Sequence, residues 1–224
     1  MFRICLGEQH IISPKNQPWG GRRHIVGSQS HMHDRLSIGP RISIRGPTGS
    51  GKSTLGYTLG QRFGLPVVEL DALYWLPNWQ VKPLDQFRID VKTGLDACPQ
   101  GWICVGNYRH IQDLMLPQAD TVLWLRLPFR VSFWRLFKRT VMRAWMKQPL
   151  WEGNPNRESW RKSFFSRDSI LLYAITSRKM HVETTLHILG TTPHHASVIE
   201  LRSARAVRRL LQELSQGKPT APET

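Results

Sequence analysis

Nine residues, Gly46-Pro47-Thr48-Gly49-Ser50-Gly51-Lys52-Ser53-Thr54, constrain this chain more than any other segment. They match G-x4-G-K-[ST] in full. Glycines at 46, 49 and 51 let the backbone curl with its N–H groups turned inward. Those donors, together with the N-terminus of a following helix, suit a β-phosphate. Lys52 adds a mobile positive charge between β- and γ-phosphates, the Ser53 hydroxyl suits Mg2+, and Thr54 faces the α-phosphate. The pattern has this meaning only between a strand and a helix, and both flanks are legible. Arg41-Ile42-Ser43-Ile44-Arg45 alternates as a short strand. Leu55, Leu59 and Phe63 recur every four residues up to a helix stop at Gly64, with Pro66 beyond it. ATP or GTP with Mg2+ is the expected ligand set.

The remaining pattern alternates in the same way. Short apolar strands are expected at 67–70, 102–105, 121–125 and 197–201, and helices at 84–97, 129–147, near 160–178 and at 203–214. Strands separated by helical segments imply a parallel sheet with crossover helices, and continuous apolar strands imply burial on both faces. Residues 1–38 show no sustained period and are expected to be a poorly ordered extension. A domain over 39–215 and a disordered tail over 216–224 complete the expected organisation. No run of 18 apolar residues is present, and Cys5, Cys98 and Cys104 lack metal-type spacing, so a cytoplasmic protein with reduced thiols is expected. Monomer and homodimer both stay open.

A second requirement of phosphoryl chemistry is a carboxylate near Mg2+. Asp71, just after the strand at 67–70, is the candidate, either on the metal side or as a base toward an acceptor hydroxyl. An N-cap or turn aspartate is the bland alternative. The strand at 102–105 ends Val105-Gly106-Asn107 with no acid; Asn107 and Tyr108 are candidate acceptor contacts, and a plain Gly-Asn turn competes.

The chain carries a net charge of +15, and residues 120–180 hold 13 Lys/Arg against 4 Asp/Glu. That excess implies a polyanionic partner. Arg135, Arg139 and Arg143 lie four apart on one stripe of a helix, with Trp134, Phe137, Val141 and Trp145 as the expected apolar stripe against the core. Such guanidinium groups suit the charge of a transferring phosphoryl. A solvated helix, a nucleic-acid face and a membrane-surface helix are the competing readings. Trp75, Trp79, Trp151 and Trp160 sit in or near loops, where they either stack on a ligand ring or simply bury.

GPTGSGKST, ELDALYW at 69–75, GNY at 106–108, ADTVLWLRLP at 119–128 and SFFSRDSILLYA at 163–174 together resemble the P-loop proteins called DNA topology modulation proteins (FlaR-related), over roughly 41–212. These belong with the adenylate-kinase-like and shikimate-kinase-like nucleotide kinases. The resemblance implies an α/β P-loop NTPase fold, doubly wound, with a five-stranded parallel sheet and a helical lid at about 129–168. It implies lid arginines at Arg135 and Arg139, a further one at Arg161 or Arg167, and a metal carboxylate where this chain has Val105. The expectation is a kinase moving the γ-phosphoryl of Mg-ATP to a nucleotide or small-molecule acceptor, with a nucleic-acid-associated ATPase or a nucleotide-binding pseudoenzyme as alternatives.

Overall fold

A computed structural model describes residues 23–26, 38–146, 149–151, 154–157 and 169–216. Its frame is a parallel sheet that begins with the alternating segment before the glycine loop. That segment, β2 (Arg41–Arg45), lies centrally between β6 (Trp102–Val105) and β7 (Thr121–Leu125). β3 (Val67–Glu69) extends the sheet beyond β6, and β10 (Ser197–Leu201) extends it beyond β7. These are the five expected strands, in the order β3-β6-β2-β7-β10. β6 and β7 are buried throughout because helices cover both faces, which explains their unbroken apolar sequence.

The side-chain alternation divides the core in two. Ile42, Ile44, Ile103 and Val105 face α1 (Lys52–Phe63), through Leu55 and Leu59, and α8 (Ala204–Gln216), through Leu210. Trp102, Cys104 and Val122 face the other way. They pack on α2 (Leu70–Tyr74), α3 (Leu84–Asp96), α4 (Gln112–Met115) and α7 (Arg178–Thr191), through Leu70, Phe87, Val91, Met115, Ile188 and Leu189. The chain leaves β2 toward β3 and later returns on the far side at β7. A crevice therefore opens at the carboxyl ends of the strands, where β2 runs into the glycine loop.

Four expectations change. First, residues 1–38 are not wholly without regular structure: β1 (Arg23–Val26) pairs in parallel with β10 and makes a sixth strand. An otherwise unpaired strand edge is a template for such addition, and Ile25-Val26 suit it. Second, α7 was not foreseen; its Thr- and Val-bearing sequence lacks a clean apolar face, and burial of Thr185, Ile188 and Leu189 holds it. Third, only α6 (Ile170–Thr176) of the helix expected near 160–178 lies among the described residues; Ser169 caps it, accepting from Leu171 N at 3.3 Å. Fourth, α5 (Phe129–Met146) buries Ser132, Leu136, Thr140 and Ala144, whereas Trp134 and Trp145 are exposed, Trp145 at 79%. The reason is space. A Cβ on Gly49 would stand 2.3 Å from Ser132 O, so the helix meets the loop at backbone distance and only modest side chains fit between.

Two small hairpins border the carboxyl ends. β4 (Trp75–Leu76) pairs with β5 (Gln80–Val81), and β8 (Pro149–Trp151) with β9 (Asn154–Arg157). Buried Asn156 ties them together: its amide donates to Leu76 O at 2.9 Å and accepts from Trp79 N at 3.1 Å. Trp75 and Trp79 meet edge to face at 5.7 Å. Trp160 lies outside the described residues, as do the tail beyond 216 and the lid segment 158–168. Among the described residues, no helix is long and apolar enough to cross a membrane.

Candidate functional site

The glycine loop has the conformation its residue types require. Gly46, Gly49 and Gly51 have φ of 148°, 78° and 94°, where a side chain would be strained. Ser50 N donates to Pro47 O at 3.2 Å, closing the turn that also contains Thr48, and Leu55 N donates to Gly51 O at 2.9 Å as the helix starts. Thr54 is exposed on the first turn. Asn107 braces the entry: its amide donates to Gly46 O at 2.6 Å and accepts from Gly46 N at 3.0 Å. Both ends of the Asn107 amide thus hold the loop, where sequence alone suggested an acceptor contact or a plain turn.

Lys52 stands at the centre. Its Nζ donates to Pro47 O at 3.1 Å, across the mouth of its own loop. Burial, and to a lesser extent the charges of Arg139 and Arg45, push its pKa down to about 8, while Asp71 and Glu69 pull the other way. The amine thus sits among two guanidinium groups and two carboxylates. From α5, Arg139 reaches this field, and Arg135 brings its Nη1 to 3.6 Å from where a Cβ on Gly51 would lie. Two of the three expected arginines are therefore at the loop; Arg167 lies outside the described residues, as does Arg161.

The two carboxylates occupy different positions. Ser53 Oγ donates to Glu69 Oε1, and Tyr57 OH donates to Glu69 Oε2 at 2.9 Å. Burial, then the hydrogen bond to Glu69 and its charge, push Tyr57 up to about 12, so its hydroxyl stays a donor. Asp71, two residues on, accepts from Tyr108 OH at 2.7 Å. Tyr108 is held well above the ordinary phenol range, by burial first and by Asp71 second, so it too remains protonated. Its ring packs against Tyr74 at 4.6 Å and Phe87 at 5.1 Å. Asp71 thus faces the aromatic wall, and Glu69 faces the hydroxyl that G-K-[ST] chemistry reserves for a metal.

Glu69 was missed from sequence. Its signal is the spacing Glu69-Leu70-Asp71 at a strand end, two acids bracketing one apolar residue. Val105, where the resemblance implies an acid, lies close to Glu69 in the sheet. Val105 pairs in register with Glu69 across β6 and β3. Val105 itself packs toward α1, where a Cβ on Gly56 would lie 2.7 Å from its Cγ2. On the neighbouring strand, the residue in register with Val105 is therefore an acid.

Beside this cluster, Arg45 closes the end of β2. Strand alternation places it on the face opposite Ile44, and that face is covered rather than wet: Arg45 is 0% exposed. Its Nη1 donates to Gln112 Oε1, and Gln112 Nε2 donates to Tyr108 O.

Fold and loop together define a phosphate-loop α/β protein with a parallel sheet. No family model matches the chain. It is 35% identical over 79 residues to a bifunctional pantoate ligase/cytidylate kinase of Gloeobacter violaceus, covering 30% of this chain and 15% of that protein. The chain thus spans a small part of the relative's length. Similar solved structures include a gluconokinase from Sinorhizobium meliloti 1021, at 18% identity over 80% of this chain and 94% of that one, with a TM-score of 0.44. A shikimate kinase from Acinetobacter baumannii, in complex with shikimate, is 16% identical over 81% of this chain and 96% of that one, with a TM-score of 0.46.

Proposed function

We propose that the protein is a kinase that transfers the γ-phosphoryl group of Mg-ATP to a hydroxyl of a small acceptor. The observation that carries this reading is the separation of the two carboxylates around Lys52, Glu69 on Ser53 and Asp71 on Tyr108. A simple hydrolase needs only the first pair; an acceptor wall with its own acid supports transfer.

The donor set suits a magnesium nucleotide. Ser50 Oγ is buried without a partner among the described residues, and Lys52 rests on a carbonyl of its own loop, so both are positioned to exchange for phosphate oxygens. Ser53 and Glu69 would hold Mg2+, directly or through water. When bound, the metal neutralises charge on the β- and γ-phosphate oxygens. Lys52, Arg135 and Arg139 supply the remaining positive charge toward the transferring group. Asp71 accepts the proton of the attacking hydroxyl, the new O–P bond forms, and the bond to the β-phosphate oxygen breaks to leave ADP. Tyr108 orients Asp71 and stays neutral while it does so.

ADP formation from Mg-ATP, measured with and without a panel of nucleosides, nucleoside monophosphates, sugars and hydroxy acids, tests the reading. One acceptor is expected to stimulate turnover, and Lys52→Ala to abolish it. Turnover that no acceptor changes, with nucleotide bound, would overturn transfer.

A nucleic-acid-associated ATPase is the second reading. The outer face of α5 favours it: exposed Trp134 carries Lys138 Nζ 5.7 Å above its ring, and Trp145 projects nearby in a chain of net charge +15. Stimulation by single-stranded or duplex DNA in the same assay would support it.

A further inference from the structure

Glu69 stands at the N-terminus of α2, yet its carboxylate makes no capping bond there. Both oxygens turn instead to α1: Ser53 donates to Oε1, and Tyr57 donates to Oε2 at 2.9 Å. Residues 53 and 57 are four apart, so the two hydroxyls lie on one face of the helix, a turn from each other. Among the described residues, these two bonds are the ones that orient the carboxylate. Phosphoryl chemistry calls only on the Ser53 side. Tyr57 has no part in it, although it is 50% exposed and could give its hydrogen bond to water instead.

Packing at backbone distance holds the pair together. A Cβ on Gly56 would lie 2.7 Å from Val105 Cγ2, and one on Gly60 would lie 2.6 Å from Val67 Cγ2. α1 therefore rests directly on β6 and β3, and Tyr57, the residue after Gly56, is fixed against Glu69 at the end of β3. With Oε2 taken by the phenol, Glu69 has one oxygen, Oε1, on the side of the Ser53 hydroxyl. Cations differ in what they ask of a carboxylate. Ca2+ gathers about six to eight oxygens at flexible angles and readily takes both oxygens of one carboxylate, whereas Mg2+ keeps a small octahedron with several waters in it. A carboxylate confined to one oxygen suits the smaller ion and handicaps the larger.

We propose that Tyr57 is a positioning residue that holds Glu69 with a single oxygen toward the metal and so determines the choice of cation, Mg2+ over Ca2+. This rests on the placement of the metal at Ser53 and Glu69 in the reading above and is independent of the acceptor. Removing the phenol hydroxyl frees Oε2 and lets the carboxylate turn. Mg2+ then loses an oriented ligand, and Ca2+ gains a second oxygen. A role in stability alone would weaken both metal complexes alike.

Calorimetry on the full chain measures the Kd for ADP in Mg2+, in Ca2+ and in EDTA, so the readout is binding and not turnover. The parent is expected to bind Mg-ADP more tightly than Ca-ADP. Tyr57→Phe keeps the ring and removes the hydroxyl. It is expected to weaken Mg-ADP about tenfold, as loss of a partner to a metal-bound carboxylate does, and to leave Ca-ADP unchanged or tighter. The ratio of the Ca-ADP Kd to the Mg-ADP Kd should therefore fall about tenfold or more, with ADP affinity in EDTA within about twofold of the parent. Tyr57→Leu, also a strong helix former, removes the ring as well and is expected to lower the ratio in the same way. An unchanged ratio in both variants, or equal weakening of Mg-ADP and Ca-ADP, overturns the proposal. Glu69→Gln separates this from the reading beneath it. If Glu69→Gln weakens Mg-ADP while neither Tyr57 variant shifts the ratio, Glu69 keeps its place at the metal and the role of Tyr57 falls. If Glu69→Gln leaves Mg-ADP as in the parent, the metal assignment falls and the proposal with it.

Discussion

Glu69 and Asp71 are separated by a single leucine, yet their surroundings give them different chemistry. Glu69→Gln keeps an oxygen for the Ser53 hydroxyl and removes the charge. The Mg2+ concentration for half-maximal activity is expected to rise about tenfold or more, with thermal stability little changed. Asp71→Asn should instead leave Mg-ADP affinity near the parent value and depress kcat, because it removes the proton acceptor. Titrating Mg2+ in both variants checks the division; identical behaviour would show that the two acids act as one. Lys52 supplies a pH prediction. Burial lowers its pKa to about 8 in the free protein, and bound phosphate favours the charged amine and raises that value. Binding therefore takes up a proton above pH 8. The Kd for Mg-ADP is expected to increase about tenfold per pH unit above 8 until the bound-state pKa is reached, and to be flat below it. Calorimetric titration from pH 7 to 9.5 reads the slope, and a flat profile would show that Lys52 is charged throughout.

At the scale of elements, the contact between the glycine loop and α5 brings the arginines to the site. Gly49 and Gly64 both lie at positive φ, but a Cβ on Gly64 meets nothing within 4 Å, whereas one on Gly49 would collide with the Ser132 carbonyl at 2.3 Å. Gly64→Ala is expected to lose about 1 kcal/mol, the left-handed penalty alone. Gly49→Ala should lose more, about 2–4 kcal/mol, because α5 must also move away. Urea denaturation of the two variants separates strain from contact. Equal losses would show that α5 does not depend on the close approach. The tryptophans teach the same lesson. A four-residue repeat is visible in the sequence for two neighbouring stripes of α5, one mostly aromatic and one of smaller, non-aromatic residues. Helical periodicity ranks the aromatic stripe as the buried one. The glycine loop reverses the choice, since bulky rings cannot enter a gap set by backbone.

For the whole molecule, the two kinds of anion recognition should respond differently to salt. The net charge of +15 is spread over the chain and acts through solvent, so association with duplex DNA at 50 mM salt is expected to weaken steeply by 200 mM. On the proposed reading Mg-ADP would be held by half-buried groups at short range, and its affinity should change by less than about threefold over the same interval. Fluorescence anisotropy with labelled DNA, beside calorimetry with ADP, makes the comparison. DNA binding that resists salt would favour a dedicated nucleic-acid surface.

The glycine loop, the five sheet strands, α1 and α3 were legible in sequence because each depends on neighbours within a few residues: glycine freedom, alternation, a repeat of four. The positions of Lys52 and Ser53 at the start of α1 and of Asp71 just after β3 were legible for the same reason. The pairing of Ser53 with Glu69, the bracing of Gly46 by Asn107, the burial of Arg45 against Gln112 of α4 and the face that α5 presents were not. Each joins segments distant in the chain, and which of two adjacent residues faces inward is set by the element that packs on it. β2 shows the limit well. Its alternation correctly separates Ile42 and Ile44 from Ser43 and Arg45, but whether the polar side meets water or a second layer of helices is decided only when α4 and α7 close over it. That enclosure makes Arg45 a desolvated charge rather than a surface one.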